Sequence, residues 1–305
     1  MSRSEATRPV SVTRLADIVL AAQLACLLEA SAPKPGNVSP GRRFGDMGYE
    51  DFLVSALALA DALRHAHESP IGATVRRAID ATARWTRVNT NLGIVLLLTP
   101  LVRAAARCPE PGEPAYDSAL RAEVKAVLAQ TTVDDAREVY VAIRKAGPGG
   151  LGRAEEQDVA HEPDASLLEV MALAADRDDI AREYATGFAT TFDVGVPAVV
   201  AARHEGLSWD DAVVETFLTV LAARPDTHIA RRAGGSAAQQ VSAQARDVVT
   251  AGGVRTAAGR RRLEELDGVL REQGSLLNPG TTADLTAAAL FVMLASGGWS
   301  GPATR

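Results

Sequence analysis

The densest group of reactive side chains lies in a break between two apolar stretches of this 305-residue chain. It places a carboxylate, a hydroxyl, an imidazole and two guanidinium groups within roughly two helical turns: Asp226, Thr227, His228, Arg231 and Arg232. The carboxylate could hold Mg²⁺ while the arginines bind a polyphosphate through paired hydrogen bonds. The alternative is that Asp226 caps a helix and the arginines face solvent. Because a lone histidine is more often structural than catalytic, no mechanism is assigned to His228.

A stiff turn with the sequence Pro-Lys-Pro-Gly at 33–36 follows a helical stretch that ends near Glu29. An ammonium group on a rigid turn suits a phosphate as a point-charge partner, so Lys34 is a candidate phosphate ligand. A plain helix stop with an exposed lysine is the alternative. Further along, Asp46 follows two arginines, and these charges could divide between Mg²⁺ and phosphate or pair with one another.

Two other breaks lie directly before long apolar stretches, where a helix N-terminus attracts phosphate. Asn89 and Thr90 precede the first, and their amide and hydroxyl groups could bind a sugar or a base edge. Gly280 offers a backbone N–H at the start of the second, and Asp284 lies in its first turn. Plain helix capping explains the same residues. The glycine-rich segment 147–152 lacks the Lys-Ser/Thr pair of a P-loop and follows a helical stretch, so its phosphate signal is weak.

The elements that must position these residues are helices. Apolar residues recur with the helical period along most of the chain, and strand patterns are nearly absent. The run at 94–98 is a short strand candidate, but it continues with helical spacing and is interpreted as a buried helix. Cap signals mark several helix starts: Thr132, Ser166, Ser208, and Thr281 or Thr282 for a last helix.

We therefore predict an all-α fold, a single-domain multi-helix bundle of about ten to twelve helices. The domain is expected to span residues 1–305, with frayed residues 1–12 and a tail at 298–305. The motif-bearing residues are expected in loops and at helix N-termini, where a rigid scaffold commonly holds binding groups.

Composition limits the function classes. The chain is 47% apolar and 23% charged, an ordinary globular balance, and its net charge of −6 argues against general nucleic-acid binding. It has no uninterrupted apolar run of about 20 residues, so no membrane span is predicted. The stretch 18–28 is interrupted by Gln23 and is not interpreted as a signal peptide. Cys26 and Cys108 form no metal or disulfide pattern and favour a reducing, cytoplasmic setting. A homo-oligomer is compatible with the sequence, which leaves the oligomeric state open.

In chain order the polar breaks resemble the motif series of the triphosphoribosyl-dephospho-CoA synthase family. The order is fairly specific, although no single motif is. The matching residues are Pro33-Lys34-Pro35-Gly36, Asp46-Met47, Phe52 with Ser55, Asn89-Thr90 with Gly93, Asp226-Thr227 with Arg231 or Arg232 and Gly234, and Pro279-Gly280 with Ala283-Asp284-Leu285. The chain departs from the pattern at Phe44, where the family often has a histidine, and in the segments 150–158 and 278–282.

The resemblance implies a glycosyl transfer between two nucleotides. In that family the 2′-hydroxyl of 3′-dephospho-CoA attacks the ribose C1 of ATP, and adenine leaves. The reaction needs a base for the hydroxyl and charge compensation for the triphosphate, which carboxylates and Mg²⁺, Lys or Arg can supply. ATP with Mg²⁺, and dephospho-CoA or a related nucleotide, are the expected partners.

Roles follow as hypotheses on the matching positions. The candidate bases or Mg²⁺ ligands are Asp46, Asp226 and Asp284, with Glu29 ranked below them. The candidate substrate-binding residues are Lys34, Asn89, Thr90, Thr227, Arg231, Arg232 and Gly280. Two other functions stay open at this point. One is a different nucleotide or phosphoribosyl transferase or hydrolase in cofactor biosynthesis on the same scaffold, and the other is a non-enzymatic helical interaction protein.

Overall fold

A computed structural model of the chain describes residues 12–45, 47–113 and 115–299. Within these ranges the backbone forms helices and no strand, so the all-α prediction is confirmed. Two isolated β-bridges, Ser39–Arg42 and Phe44–Met47, brace the loop after the first helix. The predicted terminal segments fall largely on residues 1–11 and 300–305, which lie outside the described residues.

The described residues contain fifteen α-helices. They are α1 (Val12–Ser31), α2 (Tyr49–Ala58), α3 (Ala60–Arg64), α4 (Ile71–Thr82), α5 (Leu92–Ala105), α6 (Tyr116–Ala129), α7 (Val133–Ala146), α8 (Leu167–Ala174), α9 (Asp179–Thr186), α10 (Val196–His204), α11 (Trp209–Ala223), α12 (Thr227–Ala233), α13 (Gly235–Thr250), α14 (Ala257–Arg271) and α15 (Gly280–Ala295). A π-helical turn, Thr191–Gly195, leads into α10, and a 3₁₀ turn, Gly253–Arg255, precedes α14. The predicted count of ten to twelve was too low, because helices of five to eight residues such as α3 and α12 are too short to show a clear period.

Two helices, α5 and α15, form the centre of the packing. Both are apolar on nearly every side and buried along most of their length, as expected for a helix surrounded by other helices. They pack against each other, and α1 packs against both. The interpretation of 94–98 as a buried helix is therefore confirmed. The buried apolar side chains form a cluster that draws on most of the helices, while the single-domain organisation stays a prediction.

Helix caps explain where several helices begin. Thr132 and Ser166 form the predicted capping boxes, and Ser208 accepts a hydrogen bond from the N–H of Asp211. The prediction that Thr281 or Thr282 caps the last helix was wrong, because α15 begins at Gly280 and both threonines lie inside its first turn. The N–H of Thr282 instead donates a hydrogen bond to Asp226, the N-cap of α12.

No single helix among the described residues is long and apolar enough to cross a membrane. One helix pair, Asp179–Thr186 with Thr191–His204, has sufficient length and apolar composition but is bent by 92°.

The contact between α4 and α7 gives a stability prediction. Gly72 donates its N–H to Asp135 Oδ1 at 2.8 Å, and a Cβ added at Gly72 would lie 2.4 Å from the backbone oxygen of Asp135. We expect Gly72→Ala to lower the free energy of unfolding by about 1–3 kcal/mol, because the two backbones would have to separate. Urea denaturation measures the change.

The matched control is Gly268→Ala on the exposed face of α14, where an added Cβ meets no other atom. Alanine has the higher helix propensity, so this variant should be as stable as the parent or more stable, by up to about 1 kcal/mol. Equal stability of the Gly72→Ala variant and the parent would show that α4 and α7 are not packed this closely.

Candidate active site

Asp226 joins the starts of two helices. It is the N-cap of α12, where Oδ1 accepts a hydrogen bond from the N–H of Ile229 at 2.9 Å. Its Oδ2 accepts hydrogen bonds from both the N–H and the hydroxyl of Thr282, each at 2.7 Å, in the first turn of α15. Only 1% of the residue is exposed. Burial raises the pKa of Asp226, and the donors on Ile229 and Thr282 oppose that shift.

A third helix start lies beside these two. The hydroxyl of Thr227 accepts a hydrogen bond from the N–H of Asp179, the first residue of α9, and donates one to the hydroxyl of Thr281 on α15. Arg231 on α12 forms an ion pair with Asp178, which is the N-cap of α9. The N-termini of α9, α12 and α15 therefore adjoin one another, and each carries partial positive charge.

Asp284 is the free carboxylate of this centre. A Cβ added at Gly93 would lie 2.0 Å from Asp284 Oδ2, so only glycine lets the first turn of α5 approach this side chain. Asp284 makes no side-chain hydrogen bond or ion pair with the described part of the chain, although it keeps a small exposed fraction. Burial raises the pKa of Asp284 well above its usual value, and the nearby carboxylates of Glu29 and Asp226 add to that rise. Arg231 acts in the opposite direction.

Lys34 lies inside the protein rather than at its surface. Its side chain is 0% exposed, and Nζ is 3.0 Å from Oε1 of Glu29 at the end of α1. The ammonium also donates to the backbone oxygens of Glu29 and Ala32. Three acceptors match its three N–H donors. Lys34 therefore has no N–H donor left for a phosphate in this arrangement, and its predicted phosphate contact stays a prediction. The geometry favours a role for Lys34 in holding Glu29.

Glu29 faces a small cavity of about 10 Å³, room for roughly one water molecule. Its polar lining comes from Ser55 on α2 and from Thr90 and Asn91 before α5. The hydroxyls of Ser55 and Thr90 hydrogen-bond to each other at 2.6 Å. Asn89 accepts a hydrogen bond from the N–H of Leu92 at 3.2 Å and so supports the start of α5. The predicted sugar or base contacts of Asn89 and Thr90 stay predictions.

Arg232, His228 and Gly280 form one packed group. Arg232 donates to the backbone oxygen and the hydroxyl of Ser275 and contacts Nε2 of His228 at 3.3 Å. Burial, together with Arg231 and Arg232, lowers the pKa of His228 to about 4. The Cα of Gly280 lies against this ring, since an added Cβ would be 2.9 Å from Nδ1. In this arrangement Arg232 holds the loop before α15.

Asp46, predicted as a base or metal ligand, lies outside the described residues. The neighbouring departure from the family pattern is described: Phe44 is buried, and the guanidinium of Arg271 lies 5.1 Å from its ring centre. This cation–π contact explains how an aromatic side chain is held at that position.

The sequence interpretation missed two carboxylates. Asp178 caps α9 and pairs with Arg231. Asp179 is buried and pairs with Arg224. An Asp before a helix is a recognisable cap signal, but its ion partner is about fifty residues away along the chain. Within the described ranges no group of three His, Cys, Asp or Glu side chains could hold a metal ion.

Comparison with known proteins relates this chain to one family of transferases. The sequence model of the CitG family, ATP:dephospho-CoA triphosphoribosyl transferase, matches residues 15–302. A Pseudomonas putida protein, described as a probable 2-(5''-triphosphoribosyl)-3'-dephosphocoenzyme-A synthase, is 29% identical over 93% of this chain and 98% of its own. A protein of the same description from Stutzerimonas stutzeri strain A1501 is 33% identical over 48% of this chain, and the match spans half of that protein's length.

A solved structure is also similar. It comes from Archaeoglobus fulgidus and is described, as a provisional assignment, as a triphosphoribosyl-dephospho-CoA synthase. It is 27% identical, has a TM-score of 0.60 and aligns with 80% of this chain and 99% of its own. Because the family model covers nearly the whole sequence, the chain belongs to the ATP:dephospho-CoA triphosphoribosyl transferase family.

Proposed function

We propose that this protein joins the triphosphoribosyl group of ATP to the 2′-hydroxyl of 3′-dephospho-CoA and releases adenine. Family membership supports the reaction class. The observation that carries the proposal is the meeting of three helix N-termini, those of α9, α12 and α15, around one free carboxylate, Asp284. Helix N-termini attract a polyanion, and a free carboxylate can accept a proton.

The helix N-termini are the proposed triphosphate site. Aligned helix dipoles favour phosphate without any lysine, although Asp178 and Asp226 already accept N–H groups at the three helix starts. Arg231 adds a guanidinium whose Nε is buried and has no hydrogen-bond partner in the described structure. A guanidinium binds phosphate through paired N–H donors, so Arg231 is the arginine best placed to contact the triphosphate. Arg232 is committed to Ser275 and His228, which favours a positioning role for it.

Asp284 is the proposed general base. It takes the proton of the acceptor hydroxyl while the bond from that oxygen to ribose C1 forms and the bond from C1 to the adenine nitrogen breaks. The departing base takes up a proton and leaves as adenine. A carboxylate with a raised pKa accepts a proton more readily than an ordinary one. Asp226 has both oxygens engaged by Ile229 and Thr282, so we assign it the positioning of α12 and α15 rather than proton transfer.

In this proposal Mg²⁺ binds together with ATP. The described residues offer Asp284 as a carboxylate without a partner but no set of three metal-binding side chains. Mg²⁺ in nucleotide sites is commonly held by substrate phosphates and one or two carboxylates. The ion would neutralise triphosphate charge, and no step of the mechanism above depends on its position. The predicted cytoplasmic setting is kept as part of the proposal, since Cys26 and Cys108 are free and buried.

The direct test incubates the purified protein with ATP, Mg²⁺ and dephospho-CoA and detects free adenine and the joined product by mass spectrometry. We expect both products in equal amounts. Stabilisation by ATP and Mg²⁺ without either product would move the search to a different acceptor. Adenine without the joined product would indicate a hydrolase instead.

The role of Asp284 gives a prediction on activity. Asp284→Asn should lower kcat by about 10²–10⁴, because general-base assistance is lost while the shape of the side chain is kept. In the parent protein, kcat/KM should fall as the pH is lowered through the raised pKa of Asp284, at a pH above the ordinary carboxyl value of about 4. Steady-state kinetics between about pH 4 and 9 measure both effects. A variant with near-normal kcat would exclude this residue as the base.

Asp284→Asn is expected to raise the stability of the protein, in contrast to its effect on activity. The pKa of Asp284 is raised in the folded protein, so folding is favoured at low pH and loses stability as the pH rises from the unfolded to the folded pKa. Asp284→Asn removes the cost of the buried charge. We expect the variant to melt at a higher temperature than the parent at pH 8, with a gain of about 0.5–2 kcal/mol, and to match the parent near pH 4.

Asp226→Asn is the comparison variant for both measurements. Its side chain holds the starts of α12 and α15, and an amide cannot accept all three hydrogen bonds as well as a carboxylate does. We expect lower stability by about 1–2 kcal/mol, in the range of a lost helix cap, together with lower activity. If Asp226→Asn raised the melting temperature and Asp284→Asn lowered it, the two assignments would have to be exchanged.

A further inference from the structure

The loop between α4 and α5 presents three exposed side chains and leads into the first turn of α5, where Gly93 lies against Asp284. Trp85 is 71% exposed, more than any other large apolar side chain that the structure describes. Arg84 and Arg87 flank it and are also exposed. Neither arginine makes a side-chain hydrogen bond or an ion pair with the described residues. An indole ring between two unpaired guanidinium groups is an unusual surface for an acidic protein of net charge −6.

The loop is anchored to its surroundings. The hydroxyl of Thr86, next to Trp85, donates a hydrogen bond to Asp51 Oδ1 on α2 at 2.8 Å. Thr90 bonds to Ser55 one turn further along the same helix. At the α5 end, the Asn91 amide donates to the hydroxyl of Thr82 at 3.1 Å. These contacts hold the backbone of the loop against α2 and against the end of α4.

The anchoring residues also connect the loop to the reactive centre. Thr90 and Asn91 line the cavity that Glu29 faces, and α5 then places Gly93 against Asp284. Trp85 is five residues before Thr90 in the chain. The loop that carries Trp85 therefore continues directly into the residues that surround Glu29 and Asp284.

The chemistry of the three side chains fits a nucleotide. An exposed indole offers a flat face on which a purine ring stacks. Arginine side chains bind phosphate groups with paired hydrogen bonds and remain charged at every physiological pH. Because Arg84 and Arg87 have no carboxylate partner to displace, binding phosphate there costs no existing ion pair.

We propose that Arg84, Trp85 and Arg87 bind the adenosine diphosphate portion of the acceptor, with the adenine ring on Trp85 and the diphosphate on the arginines. This inference rests on the proposed function. In dephospho-CoA the base, the diphosphate and the reacting 2′-hydroxyl all belong to one nucleotide, so binding that nucleotide places the hydroxyl at the reactive centre. The triphosphate of ATP already has its proposed site at the helix N-termini around Asp284.

The test compares binding and turnover in matched variants. Trp85→Ala should weaken binding of dephospho-CoA by about tenfold or more, as expected for the loss of one base–aromatic stack, and raise the KM for dephospho-CoA similarly. The KM for ATP should change by less than about threefold. Trp85→Phe should retain most of the affinity, since its ring can still stack. Trp299→Ala, which removes another exposed indole (53% exposed) from the far end of the chain, should bind as the parent does.

The arginines are tested separately with dephospho-CoA in isothermal titration calorimetry. Arg84→Ala and Arg87→Ala should each weaken binding several-fold and reduce its dependence on salt, because each would remove a phosphate contact. Arg261→Ala removes an exposed, unpaired arginine from α14 and serves as the control.

The outcomes separate this inference from the proposed function. A parent protein that binds dephospho-CoA but releases no adenine from ATP would overturn the proposed function, and the binding data would still decide the role of Trp85. Unchanged dephospho-CoA affinity in Trp85→Ala, or no binding by the parent, would overturn the inference. A raised KM for ATP with an unchanged KM for dephospho-CoA would also overturn it, by assigning the loop to the other nucleotide.

Discussion

The hydrogen bonds of Asp226 hold the candidate site together. One buried carboxylate accepts N–H groups from the starts of both α12 and α15, together with the hydroxyl of Thr282. The first turn of a helix leaves N–H groups without intrahelical partners, and inside a protein these must be satisfied. Asp226 satisfies one such N–H in each of two helices, so the two helix starts stay side by side. The placement of Asp284, one turn into α15, depends on that junction.

The carboxylates around the junction differ in whether a positively charged side chain pairs with them. Glu29 has a buried ammonium, Lys34, and Asp178 has the guanidinium of Arg231. Among the residues that the structure describes, Asp284 has neither kind of partner; burial raises its pKa, and the nearby carboxylates add to that rise. A buried, unpaired carboxylate is costly to the folded state. Such a cost is commonly found at sites where the group must accept a proton, since the environment that destabilises the charge also makes the group a better base.

Close backbone approach is the second requirement of the site. Gly93 lets α5 meet Asp284, and Gly280 lets α15 begin against His228. An added side chain would displace the Asp284 carboxylate at the first position and the His228 ring at the second. The two glycines therefore contribute to the placement of Asp284 and His228 in this site.

The fold class, several helix caps and the family could be predicted from the sequence alone. Helical periodicity and capping boxes depend on residues three or four positions apart, and such local patterns can be read directly. The family was recognised from the order of short motifs along the chain, and that order needs no structure. The roles of individual residues could be predicted less well from the sequence. Lys34 suited phosphate as a residue type, yet only the fold shows that three acceptors surround its ammonium.

Only the folded structure shows which polar residues lie together in the candidate site and which of the described ones have no hydrogen-bond or ion-pair partner. Asp226 and Thr282 are 56 positions apart, and Arg231 and Asp178 are 53 apart. No local pattern connects them, because a carboxylate that caps its own helix looks the same in sequence whether or not it also caps another. The pKa of Asp284 likewise depends on Glu29 and Asp226, which come from other helices. Burial and the charges of residues distant in sequence depend on the packed chain. The chemistry of this site could therefore be inferred only from the tertiary structure.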